Sequence, residues 1–163
     1  MIFIAVGTQF PFDRLVKTLD EIIGNGLIEE EVFGQIGETT YKPQNFNSAA
    51  FLEKKDFDKI LKEASAVIGH AGIGIIRTAL EYNKPLLVMP RLKKYKEVVH
   101  DHQVSIARKF EELGHVLVAY EEQELSVKAN ELKHFVPKKR ETQVEAVVQR
   151  ISEFLQKNNG NKH

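Results

Sequence analysis

A histidine set among glycines is the most informative feature of the sequence. Residues 69–74 read Gly-His-Ala-Gly-Ile-Gly, and they stand where an apolar run ends and a helical pattern begins. At such a turn the first N–H groups of the helix lack backbone acceptors, and the helix dipole favours negative charge. The spacing predicts an anion site in which His70 donates to a phosphate or acts as a general acid or base. The alternative is a hydrogen-bonded structural histidine.

A second polar cluster follows the next apolar run. Residues 97–103 read Glu-Val-Val-His-Asp-His-Gln, so a carboxylate, two histidines and an amide fall within two helical turns. Such mixed donors and acceptors suit the vicinal hydroxyls of a sugar. Two alternatives stay open: a charged helix start capped by Asp101, and a metal site formed by His70, His100 and His102. The metal site lacks a cysteine or a clear further ligand.

Three other motifs are less specific. Gly7-Thr8-Gln9 is either a phosphate-approach loop or an ordinary strand-to-helix turn. Residues 56–58 read Asp-Phe-Asp, the spacing of a metal-binding Asp-x-Asp motif, but they open a predicted helix outside the strand-end loops and are set aside. A basic cluster that suits a diphosphate, an anionic membrane or plain solvent consists of Arg91, Lys93, Lys94 and Lys96. Neither G-x-G-x-x-G nor G-x-x-x-x-G-K-[ST] occurs, so dinucleotide oxidoreductases and P-loop NTPases are poor fits.

Short apolar runs alternate with helical patterns along the chain. Strands are predicted over 2–6, 31–36, 49–52, 66–69, 86–89 and 116–119, and helices over 13–23, 56–63, 73–81, 101–113 and 122–132. Asp13 and Asp101 are predicted N-caps, and residues 38–48 form a polar loop. This order predicts an α/β fold with a doubly wound (Rossmann-like) parallel sheet that binds ligands at the carboxyl ends of its strands.

The C-terminal region has the strongest helical period. Its apolar positions are Val144, Val147, Val148, Ile151, Phe154 and Leu155. They predict an amphipathic helix over 141–157 and a flexible tail over 158–163, with residues 1–157 forming one domain. We expect this helix to pack at least partly on its own sheet, because a free apolar stripe would be a liability.

Composition limits the class of protein. The 163 residues carry 23 basic and 23 acidic side chains, so no global charge favours nucleic acid. The chain has no cysteine, which excludes disulfides and thiolate metal sites and fits a reducing compartment. The apolar start is too short for a membrane span and lacks the charged flank of a signal peptide. We therefore expect a cytoplasmic location.

An ordered set of motifs resembles a known family. It consists of Gln35-x-Gly37, the glycine-histidine turn at 69–74, Lys84-Pro85, Val88-x-Pro-Arg91, Glu97 and Asp101-His-Gln103. The chain resembles the glycosyltransferase 28 C-terminal domain family from about residue 6 to residue 114. Within that family it is similar to the small catalytic subunits of two-component sugar transferases that act on lipid diphosphates. The resemblance implies the C-terminal, donor-binding half of a GT-B fold.

The resemblance also implies site residues. It places Gly7 and Thr8 near the diphosphate, and Gln35 and Gly37 beside the uracil pocket. The phosphate cradle would consist of His70, Gly72 and Gly74, and Ala71, Ile73 and Arg91 also belong to the substrate-binding set. Glu97, His102 and Gln103 would reach the sugar hydroxyls. The catalytic residue is not identified, and the candidates are His70, Glu97 and His102.

Two positions depart from the family pattern. Ile75 stands where relatives usually have serine, which removes a hydroxyl from the cradle. Thr78 stands where many relatives have a glutamate that holds the ribose, and Glu81 lies one turn further on. These departures bear on the affinity for the donor and on its identity.

The expected function is an inverting, metal-independent transfer of a sugar from a UDP-sugar to a lipid-diphosphate-linked acceptor in polysaccharide biosynthesis. The enzyme would need no cofactor. A membrane-anchored partner subunit would hold the chain at the inner face of the membrane, and self-association in isolation is a further expectation. The competing hypothesis is a non-catalytic subunit that activates or tethers a partner transferase. A stand-alone enzyme such as an epimerase fits less well, because it needs two sheet domains and the chain has residues for one.

Overall fold

A computed structural model describes residues 1–139, 151–154 and 156–157. Within these residues the strands are β1 (Ile2–Ala5), β2 (Val32–Gln35), β3 (Asn47–Ala49), β4 (Ala66–His70), β5 (Leu86–Met89) and β6 (Leu117–Val118). The α-helices are α1 (Asp13–Gly24), α2 (Lys54–Glu63), α3 (Ile73–Glu81), α4 (His102–Glu112) and α5 (Leu125–Leu132). Short 3₁₀ turns at Lys93–Tyr95 and Glu122–Glu124 precede α4 and α5.

All six strands pair in parallel, in the order β3-β2-β1-β4-β5-β6. The chain winds outward in one direction from β1 and in the other from β4, so the connection order reverses between these two strands. Ligands of open α/β sheets bind in the crevice beyond the carboxyl ends of the strands at such a switch point. The predicted doubly wound, Rossmann-like fold is confirmed.

Alternation along β1 divides the core between the two faces of the sheet. Ile2 and Ile4 face the cluster that contains the apolar residues of α1 and α5. Phe3 faces the opposite cluster, with residues of α2, α3 and α4. The Phe3 ring also meets the Phe57 ring of α2 edge to face, at a centroid distance of 5.2 Å. Helices therefore cover both faces, as the continuous apolar strands require.

One predicted helix cap is wrong, and the other is in place without its side-chain hydrogen bond. Asp13 lies inside α1, where its carboxylate accepts the Tyr41 N–H at 2.6 Å and caps no helix. Asp101 does occupy the N-cap position of α4, but its carboxylate accepts the Lys93 N–H at 2.8 Å instead of an N–H of that helix. The partner of Asp13 is 28 residues away in sequence, and local spacing contains no information about it.

The polar loop after β2 is held against α1. The buried carboxylate of Asp20 accepts the hydroxyl of Tyr41 at 2.7 Å and the N–H of Asn45 at 2.8 Å. Burial opposes ionisation of Asp20, but the hydrogen bonds from Gln44, Tyr41 and Asn45 prevail and lower its pKa. The edge strand β3 follows this loop and begins at Asn47, two residues before the predicted apolar strand.

The C-terminal helix is only partly described. Residues 151–154 and 156–157 are helical, and Ile151 and Phe154 are 52% and 64% exposed. The remaining apolar positions of the predicted 141–157 helix, the tail over 158–163 and the predicted packing of that helix lie outside the described residues.

No helix in the described part of the chain has both the length and the apolar character needed to cross a membrane.

Candidate functional site

A cavity of about 680 Å³ opens at the carboxyl ends of β1 and β4. Its walls come from the loop after β1, the first turns of α2 and α3, the loop after β5 and the start of α4. Eight residues of the predicted substrate-binding set line it, namely Gly7, Thr8, Gln35, His70, Gly72, Gly74, Arg91 and Gln103. The sheet therefore brings together motifs that lie almost 100 residues apart in the chain.

Two glycines make room for the His70 ring. A Cβ on Gly7 would lie 2.9 Å from Nε2 of His70, and a Cβ on Gly72 would lie 2.2 Å from its Cε1. Gly74 is different, because a Cβ there would meet no described atom within 4 Å. Glycine destabilises a helix relative to alanine, and the space around Gly74 would admit a methyl group. Packing therefore does not explain why this residue is glycine. The free space beside Gly74 is part of the cavity that this residue lines.

The N-terminus of α3 offers backbone donors to the cavity. Gly72 is its N-cap, and no side chain caps the helix. Two side chains of α3 contribute little hydrogen bonding. Ile75 is 7% exposed and packs in the core, and the hydroxyl of Thr78 donates to the carbonyl of Gly74 at 2.9 Å. The anion-binding capacity of the turn itself therefore resides in its N–H groups and the helix dipole, and Arg77 of α3 also borders the cavity.

His70 is a neutral group at pH 7. Its Nδ1 lies 3.3 Å from Nη1 of Arg91 and 3.3 Å from Nε2 of Gln103. Burial, and then the positive charge of Arg91, lower the pKa of His70 to about 4. His70 can therefore donate a neutral hydrogen bond, but it does not bring positive charge to the site.

Arg91 supplies that charge. Its side chain is 2% exposed, its Nη2 donates to the Phe10 carbonyl at 2.6 Å, and its guanidinium lies 5.0 Å from the centre of the Phe12 ring. Within the described residues Nε has no hydrogen-bond partner and no carboxylate forms an ion pair with this guanidinium. Burial lowers the pKa of Arg91 to about 10, partly offset by the charge of Glu97. The group thus remains cationic at pH 7.

The structure corrects the position of Glu97. Its carboxylate accepts two hydrogen bonds from Arg14, at 2.8 and 3.0 Å, and one from the N–H of Leu92 at 2.9 Å. Glu97 is buried and does not line the cavity, so it cannot reach sugar hydroxyls there without breaking this ion pair. A catalytic role for Glu97 would also require this ion pair with Arg14 to break.

Of the two other sugar-contact candidates in the 97–103 cluster, His102 lies outside the cavity and Gln103 borders it. His102 is exposed, and its ring stacks edge to face on that of His100 at 5.3 Å, outside the cavity lining. Gln103 does line the cavity, but its carboxamide already has protein partners, since Oε1 accepts the Arg91 N–H at 3.1 Å. Among the described side chains, no three histidines or acids converge as a metal site would require.

Three further residues of the predicted set do not border the cavity. Gly37 has a φ of +58°, and a Cβ there would lie 2.7 Å from the Gly7 carbonyl, so it supports the loop after β1. Ala71 is fully buried, and the side chain of Ile73 is 59% exposed. Gln35 does border the cavity, and its Oε1 accepts the Leu52 N–H at 2.8 Å.

Several cavity residues were missed by the sequence analysis: Phe10, Leu52, Lys54, Phe57, Asp58, Arg77 and Val98. Asp58 belongs to the Asp-Phe-Asp motif that was set aside, and it forms an ion pair with Lys54. A general signal could have identified α2, because every helix that follows a strand of a parallel sheet starts at the carboxyl edge. The motif therefore does lie near the carboxyl edge of the sheet, contrary to the reason for which it was set aside. The carboxylate of Asp58 is itself paired with Lys54.

The sequence matches the family model described as "Glycosyltransferase family 28 C-terminal domain" over residues 1–158. Human UDP-N-acetylglucosamine transferase subunit ALG13 is 32% identical over 124 residues, which is 71% of this chain and 10% of that protein. The mouse protein of the same name is 28% identical over 123 residues, 70% of this chain and 10% of that protein. The chain thus spans about one tenth of these two relatives.

Solved structures agree with the fold. An NMR structure of ALG13 superposes with a TM-score of 0.59 at 21% identity, covering 92% of this chain and 93% of that one. The crystal structure of the glycotransferase of kitacinnamycin gives a TM-score of 0.60 at 18% identity, covering 80% of this chain and 34% of the other. The fold is that of the C-terminal half of GT-B glycosyltransferases. From the match over nearly its whole length, the chain belongs to the glycosyltransferase family 28 C-terminal domain family.

Proposed function

We propose that this chain is the donor-binding, catalytic subunit of a UDP-sugar-dependent glycosyltransferase. It binds the UDP-sugar in the cavity between β1 and β4. A separate membrane-anchored subunit supplies the site for a lipid-diphosphate-linked acceptor and holds the chain at the cytoplasmic face of the membrane. The sugar is transferred with inversion and without a metal ion, as one step of polysaccharide synthesis.

The buried and uncompensated Arg91 carries the proposal. A cation that is 2% exposed and has no carboxylate partner among the described residues is costly unless a ligand supplies the negative charge. The cavity beside it is also bordered by the uncapped N-terminus of α3 and the open space at Gly74. A diphosphate satisfies the guanidinium and the backbone donors together.

The same groups can stabilise the leaving nucleotide. Negative charge develops on UDP as the glycosidic bond breaks, and fixed donors in a partly enclosed site stabilise such charge without reorganising. Arg91 provides the positive charge, α3 provides N–H groups, and His70 provides a neutral donor. Inversion also needs a base that faces the acceptor hydroxyl. His70, with a pKa of about 4, is a weak base, and we assign the base to the partner subunit.

The names of the relatives support the choice of donor and the two-subunit assembly. The human and mouse proteins are called subunits of a UDP-N-acetylglucosamine transferase. We therefore propose UDP-N-acetylglucosamine as the first donor to test. The lipid-diphosphate acceptor is a proposal from the family resemblance.

Calorimetric titration tests the donor site directly. UDP and UDP-N-acetylglucosamine should bind the isolated chain, while uridine should bind at least about tenfold more weakly because it lacks the diphosphate. His70→Ala and Gly74→Asp should each abolish measurable UDP binding, the first by removing a donor and the second by placing a carboxylate among the phosphates. If both variants bind UDP as the wild type does, the cavity is not the diphosphate site.

A non-catalytic subunit is the second candidate, and α3 is the observation that favours it. Ile75 is buried in the core and the Thr78 hydroxyl donates to the helix backbone, so no carboxylate of α3 borders the cavity to hold a ribose. Sugar transfer by the complex with its partner, assayed with wild-type chain and with His70→Ala, separates the candidates. Undiminished transfer by the variant complex would exclude the catalytic reading and support the tethering one.

A further inference from the structure

The side-chain amide of Gln103 has a fixed orientation. Its Oε1 accepts the backbone N–H of Arg91 at 3.1 Å, and its Nε2 lies 3.3 Å from Nδ1 of His70. A backbone N–H can only donate, so the oxygen end of the carboxamide must face Arg91. The NH₂ end must therefore face His70, and it can only donate there.

The orientation of Gln103 determines where His70 carries its proton. Nη1 of Arg91 also lies 3.3 Å from Nδ1, and a guanidinium nitrogen can only donate. With two donors directed at it, Nδ1 must be the acceptor, and the proton of the neutral ring lies on Nε2. Nε2 points to the loop after β1, where the missing side chain of Gly7 leaves it space beside the cavity.

We propose that Gln103 is a positioning residue that holds His70 as the neutral Nε2–H tautomer, so that a fixed hydrogen-bond donor faces the cavity. This positioning role is additional to the predicted sugar-hydroxyl contact of Gln103, because the carboxamide keeps a second N–H and a second lone pair. The assignment of a diphosphate as the acceptor of this hydrogen bond rests on the proposed function. The assignment of the tautomer does not.

The charged surroundings support this assignment. Protonation of Nδ1 would direct its proton at the Gln103 amide and at the Arg91 guanidinium, both of them donors. The other charged groups that border the cavity are Arg77 of α3 and the ion pair between Lys54 and Asp58 of α2. Burial acts in the same sense, because it disfavours the charged ring.

Nitrogen NMR of the full chain, labelled with ¹⁵N-histidine, tests the tautomer without any variant. The sequence has six histidines, and the His70 signals are identified by their loss in His70→Gln. In the wild type at pH 7, long-range proton–nitrogen correlations should show Nε2 protonated and Nδ1 unprotonated. Protonation at Nδ1, or fast exchange between the two tautomers, would overturn the proposal.

Gln103→Glu then tests whether Gln103 is the cause. A carboxylate of nearly the same shape still accepts the Arg91 N–H, but it also accepts a proton from Nδ1. We expect Nδ1 of His70 to become protonated at pH 7, either by a change of tautomer or by a gain of charge. Gln9→Glu is the matched control, because Gln9 borders the same cavity and has no hydrogen bond to His70 among the described contacts. Retention of the wild-type tautomer in Gln103→Glu, or the same switch in Gln9→Glu, would contradict the positioning role.

Addition of UDP separates this inference from the proposed function. If His70 donates to the diphosphate, its Nε2–H signal should shift and exchange more slowly with water when UDP is added. The expected tautomer together with an unresponsive Nε2–H would support Gln103 as the positioning residue and contradict the assignment of the diphosphate. A Nδ1-protonated ring that nevertheless responds to UDP would overturn the role of Gln103 and leave the donor site standing.

Discussion

Arg14 is largely buried and Arg91 fully buried, yet their electrostatic settings are opposite. Arg14 forms an ion pair with Glu97 at 2.8 Å, lies 3.9 Å from Glu122 and does not line the cavity. Arg91 has no carboxylate partner in the described part of the chain and borders the cavity. The fold therefore neutralises one guanidinium internally and leaves the other without a carboxylate partner.

The pKa values of the two arginines shift in opposite directions. Burial lowers the pKa of Arg14, but the hydrogen bond and charge of Glu97 outweigh it, so its pKa is raised. Burial dominates at Arg91 and lowers its pKa to about 10. A buried ion pair is a structural feature, whereas a buried single charge beside an open cavity is a candidate binding group.

Glu97→Gln should have the largest effect, and the effect should be on stability. Without the Glu97 carboxylate, the largely buried Arg14 charge keeps only the 3.9 Å contact with Glu122, which costs roughly 3–5 kcal/mol of unfolding free energy. Urea unfolding followed by circular dichroism measures this loss. Glu122→Gln is the control: the Glu122 side chain is 32% exposed and 3.9 Å from Arg14, so it should cost about 1 kcal/mol or less. Equal losses in the two variants would contradict the assignment of Glu97 as the main partner.

Arg91→Met should show the converse pattern. The affinity for UDP should fall by about a hundredfold, because a charge-assisted contact to the diphosphate is lost. The unfolding free energy should stay within about 1 kcal/mol of the wild type or rise, since an unpaired buried charge has been removed. Calorimetric titration and urea unfolding of the same preparation give both values. A large loss of stability with unchanged affinity would reverse the roles that we assign to the two arginines.

The pH dependence of stability should report the lowered pKa of His70, which results first from burial and then from the charge of Arg91. The pKa of His70 is lowered to about 4, while that of an unfolded histidine is near 6.5, so the unfolded chain binds more protons between these values. Stability is therefore fully present above about pH 6.5. It should decrease by about 2 kcal/mol on going from pH 7 to pH 5. In His70→Gln this contribution to the slope of unfolding free energy against pH should disappear. Equal slopes in the wild type and the variant would show that the pKa of His70 is not lowered.

Gly74→Ala should have the smallest effect on stability, and a favourable one. Alanine in place of glycine should stabilise α3 by about 0.5–1 kcal/mol, since no described atom lies near the new methyl group. The methyl group would occupy the space where we place the phosphates, so UDP should bind more weakly although the protein is more stable. Unfolding and titration experiments test the two effects separately, and unchanged UDP affinity would show that the ligand does not approach this turn.

Much of the fold follows from local patterns. The continuous apolar runs of β1, β4 and β5 were predicted within a residue or two of their observed ends, as was α3, because strand and helix periods are short-range signals. The edge strand β3 was placed too late in the chain, since its polar residues join the sheet through backbone pairing with β2. The predicted cap at Asp13 failed because its carboxylate accepts an N–H from a loop 28 residues away. Asp101 holds the N-cap position of α4, but its carboxylate accepts the N–H of Lys93.

The candidate site, too, could be predicted only in part from local spacing. The glycine-histidine turn could be found from spacing, because each part of it lies within one strand-to-helix junction. The role of Glu97 could not, because its partner Arg14 is 83 residues away in sequence. The first turn of α2 was overlooked although the topology of a parallel sheet already implies its position at the carboxyl edge.

The sequence by itself determined the strand-turn-helix unit around His70, the parallel α/β architecture and the family resemblance. These features depend on residue type and short spacing. The tertiary structure decided which arginine is neutralised, which way the Gln103 amide faces and where His70 carries its proton. Those outcomes depend on the strand order, which brings α1, the loop after β5 and the start of α4 together at one edge of the sheet. Electrostatic partners are selected by that proximity in space, and no local pattern encodes it.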